Sequence, residues 1–508
     1  MNKFAKLMGF DPVAKQTNVK TEIIAGIVTF LTMCYILTVN PNQILYAGVG
    51  DGRWSSIFIA TAFGAIIGTL LMAFLAKMPL AQASGRGLNS MVGSIIGGGV
   101  GAFSYGFNFT IGQSFMMVLI SGIIFLLLST IQIKGKTFRE MIFDGMPVAV
   151  RGAISVGIGL FIAYIGFQNA GVIVANQYTQ VALADFTKLA TCKPAIVALI
   201  GVILIALLDK FNVKGSVIIG ILGATIVGIP LGVTNVGTLA GETAGISWKF
   251  WENFGNYFGG GENSVFGSFA NVFTEGFPAG SLFTVIMIII TMCMIDMFDT
   301  MGTIVGCCGG NRLLSDENNK PYNYDKIMIS DAVATCAGAM LGTSTVTTFV
   351  ESGSGVAAGG RTGLTAFVTA VMFFLSLFAL PLFATIPSAA TASALIYVGV
   401  LMMKNNIKAV DFSDAINAVC AFLTIVIMVL SYSITKGIGI GLVMYTILSS
   451  IAYVVEVIKY AFTKKNADKV EVVEGEEAVA PQKPTYNVHV VTLIVTALFL
   501  VYFFVPAF

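Results

Sequence analysis

Two carboxylates, Asp296 and Asp299, stand three residues apart in an otherwise apolar run, Thr291-Met-Cys-Met-Ile-Asp296-Met-Phe-Asp299-Thr300-Met-Gly-Thr303. On a helix that spacing puts both on one face. Apolar residues continue through Ile304 and Val305 before polar residues appear at Asn311, so the pair is expected inside a span rather than capping its rim. A third carboxylate, Glu351, follows the β-branched run Gly342-Thr-Ser-Thr-Val-Thr-Thr-Phe-Val. Ionisable groups at membrane depth are costly, face the protein interior and mark solute or ion pathways. A buried carboxylate accepts charge-assisted hydrogen bonds from N–H groups. One lying close to another is suited to hold a proton.

Other chemistries find little support. The only histidine, His489, opens the last apolar stretch, which leaves no Ser-His or Cys-His nucleophile to expect. The seven cysteines (Cys34, Cys192, Cys293, Cys307, Cys308, Cys336 and Cys420) lie mostly in apolar runs without metal spacing, and read as small buried hydrophobes. No Gly-x-x-x-x-Gly-Lys-Ser/Thr loop is present to hold a nucleotide. A formal charge of +2 without a large basic cluster points away from nucleic acid. The chain is expected to be no enzyme and to need no cofactor or metal.

What must position these residues is a bundle in lipid. Of 508 residues, 56% are hydrophobic and 11% charged, too apolar for a water-soluble surface. Charge-free stretches long enough to span recur at 23–39, 55–76, 113–133, 152–175, 215–240 and 276–295, and more follow. Lys3, Lys6, Lys15 and Lys20 precede the first, with no small-residue cleavage site behind it, so that helix is expected to be retained. Positive loops carrying Lys134, Lys136 and Arg139, then Lys210 and Lys214, then Arg312, Lys320 and Lys326, are expected on the side of the N-terminus. The segment 234–275 has Glu242, Glu252, Glu262 and Glu275 against Lys249, with Trp248 and Trp251 suited to an interfacial belt. It is expected to be an outer loop, with a substrate lid as the rival reading.

Two stretches interrupt helical patterning in corresponding places of the two halves, 77–101 and 341–363. The first reads Met78-Pro-Leu-Ala-Gln-Ala-Ser-Gly-Arg-Gly-Leu-Asn89, a proline and two glycines that suit a short extended piece and then a half helix. In the second, β-branched residues favour extended backbone before Glu351 and a short small-residue helix. Irregular backbone at this depth must face protein or a cavity, and the half-helix N-termini are expected to turn unpaired N–H groups toward a solute. Weak similarity between the helix pairs starting at Ala195 and Ala415 adds to the internal repeat expected of alternating-access carriers.

The run from Gly342 to Gly363, with Ile295-Asp-Met-Phe-Asp-Thr-Met-Gly-Thr303 and Gly87-Leu-Asn89, resembles the adenine, guanine and hypoxanthine permease branch of the nucleobase-cation symporters, in the xanthine/uracil permease superfamily. Thr17-Asn-Val-Lys-Thr-Glu-Ile-Ile-Ala-Gly and Gly157-Ile-Gly-Leu-Phe-Ile-Ala-Tyr-Ile-Gly166 extend the likeness over nearly the whole transmembrane part. The resemblance implies an all-α polytopic fold of fourteen segments in a seven-plus-seven inverted repeat, with two broken helices. Mapped on this chain, it implies a cytoplasmic N-terminus at 1–20, a core domain at 21–133 and 280–385, and a gate domain at 147–233 and 388–460. An extracytoplasmic loop is expected at 234–279. A polar linker, 464–486, and an extra apolar helix, 488–508, follow. It implies proton-coupled uptake of a purine base across the inner membrane, with lipid as solvent and a homodimer formed through gate helices.

By position, the resemblance assigns Asn89, Asp299, Glu351 and Asp296 to the substrate, with Asp296, Asp299 and Glu351 as proton-coupling candidates. Thr300 and Thr303 join Arg86 as selectivity candidates. Arg86 departs from the branch, which usually reads Pro-Gly-Met-Gly-Leu-Asn-Ala where this chain has Ser84-Gly-Arg86-Gly-Leu-Asn89-Ser90. It is expected either to pair with a carboxylate or snorkel to the inner surface, or to contact an oxo oxygen or stand in for the coupled proton. A same-fold carrier of an anion or oxidised purine using Arg86 as counter-charge, or of another base such as uracil, is the alternative reading.

Overall fold

Long apolar runs become helices because in lipid every backbone N–H and C=O must be paired within the segment. The computed structural model describes residues 6–45, 51–96, 109–133, 136–137, 147–213, 215–240, 246–308, 312–315, 321–410, 412, 414–431, 434–467, 485–486 and 488–504. Among them, eight helices are long and apolar enough to cross a membrane, and four shorter apolar helices accompany them. The chain divides into two compact units, one drawn from Met1–Phe138 and Gly159–Met402, the other from Arg139–Ile158 and Met403–Pro506.

In the first unit, α1 (Val19–Met33), α2 (Ile36–Leu45) and α3 (Trp54–Leu71) lead through a π-helical turn into strand β1 (Gln82–Ser84), half helix α4 (Arg86–Ile96) and α5 (Ile111–Thr130). The helix α6 (Val148–Asn169) runs from one unit into the other, and a hairpin of β2 (Ile173–Asn176) and β3 (Gln180–Leu183) follows it. Next come α7 (Leu189–Lys210) and α8 (Ser216–Gly228), packed together, and the short α9 (Phe250–Phe258). The order then recurs: α10 (Leu282–Cys308), α11 (Tyr324–Leu341), strand β4 (Val346–Thr348), a short helix α12 (Ser352–Ala357) and α13 (Gly363–Ser376). Both interruptions expected from sequence are therefore present, each a strand followed by a short helix.

The strands meet each other. β1 and β4 pair antiparallel, with Gln82 opposite Thr348, Ala83 opposite Thr347 and Ser84 opposite Val346. Backbone groups at their ends find local partners: Thr69 Oγ1 accepts from Gln82 N–H at 3.0 Å and Phe349 N–H donates to Ala81 O at 3.0 Å. Space for the pair comes from missing side chains on the flanking helices. A Cβ on Gly68 of α3 would stand 2.8 Å from Gln82 Oε1, and one on Gly338 of α11 would stand 2.6 Å from a Val346 methyl.

Among the described residues, the segment after α8 contains short helices. They include α9, whose Phe254, Tyr257 and Phe258 pack on Phe63 of α3, while Tyr257 Oη donates to Leu341 O at 2.7 Å. Gly276 takes φ +68, and the following span starts at Leu282 rather than near Gly276. After α14 (Leu380–Ala384), α15 (Ser388–Asn406) runs out of this unit.

In the second unit, α16 (Ala415–Leu430) packs on α17 (Ile434–Ala467), and α17 on α18 (Val490–Phe504). Gly437 and Gly441 let α17 approach α16, because a Cβ on either would collide with Met428 or Thr424. The expected start of the polar linker, residue 464, falls inside α17, which continues helical to Ala467 beyond its apolar stretch. Most of that linker (468–484), residues 97–101 of the first interruption, the last four residues of the expected C-terminal helix, and Lys3, Lys134, Arg139, Lys214, Glu242, Asn311 and Lys320 lie outside the described residues.

Candidate substrate site

β1 ends at Ser84, Gly85 donates its N–H to Thr345 O at 2.9 Å, and α4 begins at once with Arg86. Across the strand pair, Phe349 leaves β4 and Glu351 immediately precedes α12. The crossing therefore delivers Arg86 and Glu351 to the same place. Arg86 Nη1 lies 2.6 Å from Glu351 Oε1, and Nη2 donates to Oε2 at 3.4 Å, in a two-pronged pair of the kind a guanidinium makes with a carboxylate. The residues are only 7% and 8% exposed, which excludes Arg86 from snorkelling to a surface.

Two aromatic residues complete the setting. Tyr35, between α1 and α2, donates its hydroxyl to Glu351 Oε1 at 2.7 Å and accepts from Arg86 Nη1 at 2.6 Å. Phe349 lies under the guanidinium, 4.8 Å from ring centroid to Cζ, a cation–π contact. Breaking such a buried pair by removing one partner costs about 3–5 kcal/mol, because the survivor is left buried and uncompensated.

Asn89 sits three residues after Arg86 on α4 and is fully buried. Its Oδ1 accepts from Ser84 Oγ at 2.7 Å and from Ser344 Oγ, while its Nδ2 has no hydrogen-bond partner. The two interruptions thus share the work of orienting one amide and leave its donor end unused.

The helix α10 carries the two aspartates, Asp296 buried and Asp299 partly accessible, and they face different partners. Three residues on a helix turn the side chain by about 60°. Asp296 turns toward α11, accepting from Thr335 Oγ1 at 3.0 Å. Asp299 is partly accessible, makes no hydrogen bond among the described residues, and lies within electrostatic reach of Arg86 and Glu351. Thr300 bonds Asp331 Oδ2 and Thr347 Oγ1, each at 2.6 Å. Thr303 is buried without a hydrogen bond among the described residues.

The short-helix N-termini do not match the expectation equally. In α12 the N–H groups of Ser352, Gly353 and Ser354 are already donated to Phe349, Val350 and Glu351 carbonyls at 3.0–3.1 Å, because the chain turns tightly from strand into helix. In α4 the N–H groups of Arg86, Gly87 and Leu88 meet no acceptor among the described residues. Among the described residues, the α4 N-terminus has open backbone donors and the α12 N-terminus does not.

Sequence reasoning missed Tyr35, Phe349, Gln82, Asp331 and Glu22. Asp331 of α11 is fully buried, and it gathers Gln82 Nε2 at 2.8 Å, Thr348 Oγ1 at 3.1 Å and Thr300 Oγ1, so it ties both strands to α10. Glu22 of α1 is equally buried, accepting from Thr17 Oγ1 at 2.9 Å, Thr365 Oγ1 at 2.6 Å and the N–H groups of Arg361 and Thr362 at 3.0 and 3.3 Å. Both are acidic residues in apolar helices, the signal that singled out Asp296.

A family model described as "Permease family" matches residues 20–440. The chain is 36% identical over 433 residues to the adenine permease AdeQ of Escherichia coli (strain K12), covering 85% of this chain and 88% of that protein. It is 34% identical over 443 residues to the guanine/hypoxanthine permease PbuO of Bacillus subtilis (strain 168), covering 86% and 93%. Among solved structures it is similar to the transmembrane domain of a cyanobacterium bicarbonate transporter, BicA, with a TM-score of 0.57 at 16% identity over 82% of this chain and 97% of that one. That last likeness is one of fold.

Proposed function

The chain belongs to the nucleobase permease family, a family of membrane transporters and not of enzymes, and we propose that it carries a purine base across the inner membrane by proton symport. The observation that carries this reading is the crossing of the two interrupted segments, which sets Arg86 against Glu351 and Asn89 against Ser344, with Asp299 of α10 in electrostatic reach of the charged pair; a repeat-built carrier keeps its solute at such a place. Relatives named for adenine, guanine and hypoxanthine transport support the choice of a purine.

The charges suggest the coupling. Arg86 and Glu351 neutralise each other, so an ionised Asp299 in electrostatic reach of them would be an excess negative charge. A proton is its simplest counter-charge, and it can arrive with the substrate and leave with it. The proposal gives Asp296, which accepts from Thr335 Oγ1, a structural role in place of proton coupling. The neutral Arg86–Glu351 pair also weighs against a carrier of free inorganic anions, which would need an unpaired cation.

The recurring order of helix, helix, strand and short helix supports a two-repeat, alternating-access mechanism in which a core moves against a gate. The proposal includes fourteen segments in all, a cytoplasmic N-terminus and a dimer formed through the gate. Counterflow uptake in proteoliposomes tests it: unlabelled hypoxanthine inside should draw in labelled hypoxanthine, and an inward proton gradient should drive accumulation. No uptake of any purine, or uptake indifferent to the gradient, would overturn the respective half of the proposal.

A further inference from the structure

We propose that Arg86 makes this site selective for oxo-rich purines of the purine-2,6-dione class over aminopurines, a specificity that rests on the purine-carrier reading above. Selectivity follows from which hydrogen-bonding groups remain available. Glu351 is the acceptor that would meet the N–H edge of an aminopurine, but Arg86 grips both of its oxygens and Tyr35 donates to one of them. A guanidinium presents two parallel N–H groups to a carboxylate much as the amidine edge of guanine would, so the chain fills that position with its own side chain.

What remains around Arg86 is a set of donors. A guanidinium has five N–H groups. The partners of Arg86 among the described residues use its Nη1 and one direction of Nη2, leaving Nε and a second Nη2 hydrogen unengaged. Asn89 Nδ2 is buried and unpartnered one helical turn along the same face of α4. The open N–H groups of Arg86, Gly87 and Leu88 add the positive end of the α4 dipole. An unengaged donor at this depth costs free energy until an acceptor arrives. The two oxo groups, one on either side of N1–H, supply acceptors, whereas the exocyclic amine of adenine brings a donor to a place already full of them and adenine has no oxo group to offer. The carbonyl-bearing edge of a dione also spreads negative charge toward a cation that cannot lose its proton.

The arrangement concerns this chain in particular, since the resemblance described above implies methionine in the branch where this chain has Arg86. With methionine there, Glu351 would be free to accept N–H groups and aminopurines would be welcome.

Competition against labelled hypoxanthine in proteoliposomes of the full chain tests the inference, using xanthine, guanine and adenine as competitors. Xanthine should compete at least tenfold more strongly than adenine. In Arg86→Met the xanthine-to-adenine ratio should fall at least tenfold, as Glu351 is released and the donors are lost. Because that variant leaves Glu351 buried without its cation, Arg86→Lys serves as a second: it keeps the charge but not the fork, and its ratio should fall at least threefold. Adenine competing as well as xanthine in the parent, or an unchanged ratio in either folded variant, would overturn the selectivity while leaving the purine-carrier reading intact. Failure of every purine to compete or to be taken up would overturn the carrier reading itself.

Discussion

Glu22 and Glu351 are both buried carboxylates joining an early helix to the second interrupted stretch, yet they are satisfied in opposite ways. Glu22 is surrounded by neutral donors: two threonine hydroxyls and two backbone N–H groups. Glu351 is held by a guanidinium and a phenol. Neutral donors fixed in the backbone cannot leave, so Glu22 locks α1 to the start of α13. A side-chain cation can swing aside or be challenged by a ligand, so Glu351 keeps an exchangeable partner. Asp331, with Gln82, Thr348 and Thr300 around it, belongs with Glu22. The difference teaches that burial of a carboxylate marks importance, while the kind of partner separates architecture from site.

The sharpest break in the comparison is expected from Glu351→Gln. An amide replaces one acceptor oxygen with a donor beside Arg86 and Tyr35, and hypoxanthine affinity should fall roughly 30- to 1,000-fold, from a loss of about 2–4 kcal/mol. Binding to purified, folded protein measures it.

Asp299→Asn should come next. With one proton per base, a gradient of one pH unit supports about tenfold accumulation, because a unit of pH is worth about 1.4 kcal/mol. The variant should lose that accumulation in proteoliposomes and still exchange labelled for unlabelled substrate. Asp296→Asn, altered at a carboxylate that accepts from Thr335 of α11, should accumulate within about twofold of the parent; equal behaviour of the two variants would remove the distinction drawn between them.

For Glu22→Gln the expected loss is of stability: about 2–3 kcal/mol, since a charged acceptor with several donors becomes a half-donor facing them. Substrate affinity of the surviving folded protein should stay within about twofold. The smallest effect belongs to Thr303→Val, which removes a hydroxyl that bonds nothing among the described residues. A change below about 1 kcal/mol in either binding or stability is expected, and a larger selectivity shift in the competition panel would return Thr303 to the site.

Much of this arrangement was legible in the sequence. Pro79, Gly85 and Gly87 on one side, and the threonine-rich run before Phe349 on the other, announced strands where helices should be, and both strands formed. The burial of Asp296 and Glu351 followed from their apolar neighbours. The pairing of Arg86 with Glu351 was one of the outcomes expected, but its companions were hidden, because the partners lie 265 and 316 residues apart in sequence. Periodicity within a helix says which face is apolar and nothing about which distant hydroxyl will meet it. Glu22 is the plainest case: it lies at the head of the first span, and its acceptor role is visible only once Arg361, Thr362 and Thr365 are brought 339 to 343 residues back to it. The divergence of Asp296 from Asp299 was likewise invisible, since an i, i+3 spacing fixes a shared face but leaves room for two different neighbours.

The most direct test of the claim that Glu351 belongs to the substrate site and Glu22 to the scaffold is thermal unfolding of parent, Glu351→Gln and Glu22→Gln with and without saturating hypoxanthine. A ligand at a hundred times its Kd stabilises the folded state by about 2.7 kcal/mol, so bound substrate is read as a rise in Tm. The account predicts a rise in the parent, an equal rise from a lower starting Tm in Glu22→Gln, and none in Glu351→Gln at the same concentration. A full rise in Glu351→Gln, or its loss in Glu22→Gln alone, would contradict it.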